Sequence, residues 1–253
     1  MSSEKEYYIE DDGVRLHLKL ELPDGFSDGD TCPLCIVVHG LTGNMEQPQI
    51  VAASRAMNDC GLATLRVELY GHGLSGGDFE FHDLDKWLHN LNTITDHAKS
   101  LDFVSDLYLC GHSQGGLAIL LLAGERPEDF RSILPLSPAL NIPDGAKHGS
   151  PGAMSAVPFD PEDPPAKVFF HDLPIDGNFL RVAAKLEPEA AAHAFPGPVL
   201  LVHGTADTTV PMHYSVDIAK EYADATLVLV DGDTHCYDYH LDKVVEAIRD
   251  FLS

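Results

Sequence analysis

The stretch Val14 to Leu22, VRLHLKLEL, alternates apolar and polar residues, the pattern of a half-solvated antiparallel strand. Six later runs read differently. LCIVVHG, ATLRVEL, DLYLCG, SILPLS, PVLLVHG and ATLVLV are short, apolar and rich in Val, Leu and Ile. Such runs suit a central sheet buried on both faces. Helical patterns lie between them. Leu84, Trp87, Leu88, Leu91 and Ile94 fall at i, i+3, i+4, i+7 and i+10, which places them on one helix face. Gly115 to Gly124, the segment around Ser215 to Tyr222, and Leu241 to Leu252 predict further helices. Strand and helix in alternation imply an α/β fold, a mostly parallel sheet with helices on both faces.

One segment breaks this rhythm. Between SILPLS and PVLLVHG lie roughly 60 residues, well beyond an ordinary βα connection. Eight of the chain's 17 prolines fall between Pro138 and Pro174, and Phe159, Phe169, Phe170 and Phe179 sit in the same region. Proline stiffens a chain with little regular hydrogen bonding, and aromatic rings are costly to leave in water. The expectation is one domain over residues 1–253 with an ordered insertion, a lid, at 138–185 packed over one end of the sheet.

The length of 253 residues, an apolar fraction of 44% and a mean hydropathy of -0.06 fit such a globular domain. Formal charge changes the list of partners. Sixteen basic residues stand against 40 acidic ones, a net charge of -24. That surface repels phosphate backbones and anionic lipid, so neither nucleic acid nor a membrane is expected as partner. The longest apolar run, LAILLLA, is too short to span a bilayer. The opening MSSEKEYYIEDDG has no apolar h-region, so a cytoplasmic location is expected. Cys32 and Cys35 form a C-x-x-C, but no second pair or histidine follows at finger spacing. Cys32 and Cys35 therefore read as packing residues and Cys110 as a core residue, and the odd count of five argues against a disulfide framework. No cofactor or metal is expected, since H-E-x-x-H and similar spacings are missing.

Gly111-His112-Ser113-Gln114-Gly115 is a G-x-S-x-G at the junction of an expected strand and an expected helix. In that context it reads as a nucleophile elbow, a tight turn that lifts the serine hydroxyl clear of the sheet. A serine needs a base and the base needs an orienting acid. Asp207 follows one buried strand and His235 the next, so both emerge at the sheet edge where Ser113 emerges. His112 adjoins Ser113 and points elsewhere. His39 and His203 read as loop-bonding histidines, His240 opens a helix, and Asp233 lies too close in sequence to His235 to orient it. The Leu41 and Gln114 amides are the expected donors to an oxyanion. Gly71-His72-Gly73-Leu74-Ser75-Gly76 spells G-x-G-x-x-G, but GDFEFHD separates it from the next helix. It reads as a tight loop beside the site rather than a dinucleotide loop.

HGLTG, LYGHGLSGGDFE, GHSQGG, HGTADTTVP and DGDTHCY together resemble the α/β-hydrolase superfamily. More closely, they resemble the bacterial cinnamoyl or feruloyl esterases. The resemblance covers almost the whole chain, including FFHDLPIDGNFLR. It implies an α/β-hydrolase fold with eight strands and a lid after the sixth. It also implies a serine carboxylesterase acting on hydroxycinnamate esters, and often a homodimer. Matched by motif, Ser113 is the nucleophile, His235 the base, Asp207 the acid, and Leu41 and Gln114 the oxyanion donors. In the family the lid carries an acidic residue and an amide for the phenolic hydroxyl. Here Asp144 stands in for the acid, with His148 as a second candidate, and no Asn or Gln falls at the second position. Phe159, Phe169 and Phe170 are the expected pocket walls. The same framework motifs occur in monoacylglycerol-lipase-like and serine-aminopeptidase-like members, a general short-acyl esterase is the alternative activity, and the fold also serves as a non-catalytic binding module.

Overall fold

The computed structural model describes residues 4–150 and 157–253, so positions 151–156 of the expected insertion lie outside the described residues. An eight-stranded sheet forms the centre, with β1 (Glu4–Asp11), β2 (Val14–Glu21), β3 (Cys32–Val38), β4 (Ala63–Val67), β5 (Val104–His112), β6 (Phe130–Leu136), β9 (Val199–Gly204) and β10 (Ala225–Val230). Their spatial order is β1-β2-β4-β3-β5-β6-β9-β10. The β1–β2 and β2–β4 pairs are antiparallel, and every other pair is parallel. A separate hairpin, β7 (Lys167–Phe170) with β8 (Leu173–Asp176), lies in the segment between β6 and β9.

The strand residues divide by parity between two cores, as a period of two demands. Leu34, Ile36, Val38, Leu107, Leu109, Val199 and Leu201 face α2 (Leu84–Lys99) and α3 (Gln114–Glu125). Cys35, Val37, Cys110, Leu200 and Val202 face α1 (Pro48–Asp59) and α8 (Leu241–Leu252). The structure is an α/β-hydrolase fold. Helix α2 begins where Asp83 accepts from the Lys86 amide at 2.9 Å, and it buries the predicted Leu84, Trp87, Leu91 and Ile94. Helix α3 is apolar all round because it packs between the sheet and α6 (Pro188–Ala194). A β-carbon on Gly124 would sit 2.6 Å from the Ala191 side chain, so glycine permits that close crossing.

Two expectations need correction, and one strand was not foreseen. ATLVLV forms β10 at the sheet edge, and five of its six residues are half-buried or exposed rather than buried on both faces, Val230 alone being buried. The opposite edge is β1, whose sequence EKEYYIED is too polar to announce a strand and whose pairing comes from β2. The helix expected around Ser215 to Tyr222 occupies His213–Ile218 as α7. Between β6 and β9 the segment holds α4 (Asn141–His148), the β7–β8 hairpin, α5 (Asn178–Ala183) and α6. One face of the hairpin is buried through Val168 and Ile175, and Phe179 of α5 is 1% exposed. Among the described residues no helix is long and apolar enough to cross a membrane.

Candidate active site

Strand β5 ends at His112 and α3 starts at Gln114, so one residue, Ser113, makes the whole turn. Its φ of 57° and ψ of -121° are unfavourable for a side-chain-bearing residue. The Ser113 amide donates to the Leu136 carbonyl at 2.9 Å, and its carbonyl accepts from the Leu117 and Ala139 amides, both at 3.0 Å. The flanking glycines are needed for closeness to backbone. A β-carbon on Gly111 would lie 2.5 Å from the Gly115 carbonyl oxygen, and one on Gly115 would lie 2.3 Å from that of His39. The second contact crosses to the turn after β3, so Gly115 makes room for a neighbouring strand end.

Ser113, His235 and Asp207 converge from three strand ends. Ser113 Oγ lies 2.8 Å from His235 Nε2, and His235 Nδ1 lies 2.7 Å from Asp207 Oδ2. Asp207 Oδ1 accepts from the Thr209 and Val210 amides, both at 2.8 Å. Burial alone would raise the Asp207 pKa. The hydrogen bonds from His203 and His235, with that from the Val210 amide, hold it well below the usual carboxylate range.

Two histidines set aside in the sequence reading, His203 as a loop residue and His112 as a neighbour of Ser113, support this line. His203, fully buried, places Nε2 3.1 Å from Asp207 Oδ2 and 2.9 Å from the Val210 carbonyl. Both partners are acceptors, so that nitrogen carries the proton. Its Nδ1 lies 2.7 Å from Ser215 Oγ. His112 is turned away from the serine hydroxyl, and its Nε2 donates to the His235 carbonyl at 2.8 Å. The H-G-x-x-D spacing was the only sequence signal for His203, since i and i+4 meet where a strand bends into a turn. Asp233 accepts from the Tyr239 and His240 amides, at 3.1 and 2.9 Å, in the turn that leads into α8.

A cavity of about 360 Å³ opens over Ser113, lined among others by Leu41, Asn141, Phe170, Val210 and His235. Neither the Leu41 nor the Gln114 amide has a protein acceptor among the described residues. Of the five expected substrate contacts the structure brings one, Phe170, to this cavity. Asp144 and His148 line a different groove on the far side of α4, and Asp144 Oδ2 accepts from the Tyr214 hydroxyl at 2.5 Å. Phe169 is 51% exposed, because the strand pleat turns it opposite to the buried Val168. Phe159 packs half-buried against the main core. Asn141, not foreseen, lines the cavity, with its Nδ2 donating to the Thr209 carbonyl at 3.0 Å.

A serine, a tautomer-fixed histidine and a buried carboxylate on one sheet edge define a serine hydrolase of the α/β class. Residues 29–158 match the family model described as serine aminopeptidase, S33, and residues 179–253 match that described as TAP-like protein. The chain belongs to the serine aminopeptidase S33 family within the α/β-hydrolases, and it is an ester hydrolase. It is similar to Est1E from Butyrivibrio proteoclasticus, solved with ferulic acid bound. That likeness has 43% identity and a TM-score of 0.93, and covers 97% of each chain. A second structure of Est1E has 40% identity and a TM-score of 0.90 over 98% of this chain and 97% of that one. A monoacylglycerol lipase from Mycolicibacterium smegmatis is 25% identical over 79% of this chain and 78% of its own length.

Proposed function

We propose that the protein hydrolyses hydroxycinnamate esters through an acyl-enzyme on Ser113. The observation that carries the chemistry is the line from Ser113 Oγ through His235 to Asp207, at 2.8 and 2.7 Å. Asp207 accepts a hydrogen bond from His235 Nδ1–H, which keeps the proton on Nδ1 and leaves Nε2 bare to take the serine proton. Ser113 Oγ attacks the ester carbonyl, and the Leu41 and Gln114 amides receive the oxyanion. His235 then returns the proton to the departing alkoxide. A water, deprotonated by the same nitrogen, attacks the acyl-serine and releases the acid and the free hydroxyl.

Support for the acyl group comes from the likeness to Est1E with ferulic acid bound and from a small cavity walled by Phe170. The segment between β6 and β9 supplies that wall and acts as the lid of the site. Two measurements test the reading. Ser113→Ala lowers kcat by about 10⁴ or more and abolishes fluorophosphonate labelling; an active Ser113→Ala enzyme sinks the serine chemistry. Methyl ferulate and methyl caffeate give a higher kcat/KM than p-nitrophenyl butyrate. Strong turnover of butyrate or a monoacylglycerol with none of the cinnamates overturns the substrate class and leaves the serine chemistry standing.

A further inference from the structure

The turn after β3 carries Leu41 and Thr42, and buried side chains hold it from outside the cavity. His39 Nδ1 donates to the Gly40 carbonyl at 2.7 Å, and the Gly43 amide donates to the same oxygen at 3.0 Å. A trans peptide sets its N–H opposite its C=O, so this clamp turns the Leu41 N–H away from both donors. The next peptide is fixed by a different residue. The Thr42 amide donates to His72 Nε2 at 3.1 Å, and Thr42 has a φ of 59°, in the left-handed region. A β-branched residue adopts that conformation only where its surroundings impose it.

His72 can accept there in one tautomer alone. Its Nδ1 lies 3.0 Å from the Tyr70 carbonyl, which only accepts, so the proton sits on Nδ1 and Nε2 is bare. Burial, with His39 and His82 close by, pushes the His72 pKa down to about 2, which keeps the ring neutral. The ring cannot swing away. It lies among His39, Phe79, His82 and Trp87, with centroid separations of 5.1, 5.1, 5.2 and 5.0 Å. The loop that carries it is bound to the same turn a second time. Glu68 accepts from the Leu74 amide at 2.6 Å and from the Met45 amide at 3.3 Å. The glycine-rich segment Gly71 to Gly76 is therefore built around the β3 turn.

We propose that His72 is a positioning residue for ester hydrolysis: by accepting from the Thr42 amide it holds the left-handed turn that aims the Leu41 N–H at the oxyanion. The proposal rests on the reading of Leu41 as an oxyanion donor. A donor misplaced by about an ångström forfeits up to roughly a hundredfold in rate, and the loss falls on the transition state.

Two variants separate this from a packing role. His72→Phe keeps a buried ring and removes the acceptor; His72→Gln keeps an acceptor. With active sites titrated by a fluorophosphonate, His72→Phe should lower kcat roughly 10- to 100-fold with KM within about twofold. Affinity for a trifluoromethyl ketone, which forms a tetrahedral adduct, should fall in parallel, and His72→Gln should recover part of both. A kcat per titrated site within about twofold of wild type in His72→Phe, whatever its melting temperature, overturns the proposal. If His72→Phe does not fold, ¹⁵N–¹H correlation on the wild-type protein decides. A proton on Nδ1, with a coupling from bare Nε2 to the Thr42 amide, supports the proposal, and a proton on Nε2 overturns it. An active Ser113→Ala enzyme would instead remove the reading beneath it.

Discussion

Around Ser113 the polar groups that set the geometry are tied twice. Asp207 accepts from two backbone amides and two imidazoles, and the Gly40 carbonyl takes two donors. The described residues between β6 and β9 are held differently. A four-pair hairpin with one buried face, α6 packed on α3 and the side chains of α5 anchor them, while Phe169 and Leu173 stay 51 and 44% exposed. The first region has one arrangement available, because each buried donor and acceptor is costly to leave unpaired. The second combines apolar contacts, which are non-directional and tolerate substitution, with single hydrogen bonds such as those of Asn141 to Thr209 and Asn178 to Asp83. On the proposed function, the chemistry resides in the first region and the acyl preference in the second.

The sharpest test of this division is Asp207→Asn. It should lower kcat by about 10⁴ for every ester alike, because it removes the tautomer control on His235; a loss confined to cinnamates would break the comparison. Acid stability comes next. His39, His72, His82 and His112 all lie outside the inserted segment, and burial lowers the pKa of each, to about 2, 4 and 3 for the last three. The unfolded chain takes up protons below about 6.5 that the folded state refuses, so stability must fall as pH drops below that value. The loss is about 1.4 kcal/mol per pH unit for each such histidine until its folded pKa is reached. Melting temperature should therefore decline from pH 6.5 to pH 5. His82→Phe should flatten part of the slope, since the buried Nε2 of His82 has no partner among the described residues. A melting temperature that rises over this range contradicts the neutral-histidine account.

Smaller effects are expected on the apolar side. Phe170→Ala should cut kcat/KM for methyl ferulate about tenfold, change p-nitrophenyl butyrate less, and leave fluorophosphonate labelling intact. Equal losses on both substrates would mean that Phe170 serves the chemistry rather than the acyl fit. Asp144→Asn, remote from the cavity, should leave relative rates on ferulate and cinnamate within about twofold. A selective loss on ferulate would return Asp144 to the substrate site.

The strand pattern, the elbow glycines and the order of Ser113, Asp207 and His235 were legible along the chain, because each follows from local sterics or from a strand ending. So were the buried face of α2 and the placing of Cys35 and Cys110 in the core. Tertiary structure alone decided the polar edge strand β1, whose pairing depends on β2 rather than on its own apolar pattern. It alone decided which phenylalanine walls the cavity, since Phe169 and Phe170 are adjacent and only the hairpin register orients them oppositely. The role of His112 and the one proposed for His72 also belong to it, whereas His203 meets Asp207 only four residues on. A histidine's partner, tautomer and charge are set by groups far along the chain, and no periodicity reports a contact such as that between Thr42 and His72, 30 residues apart.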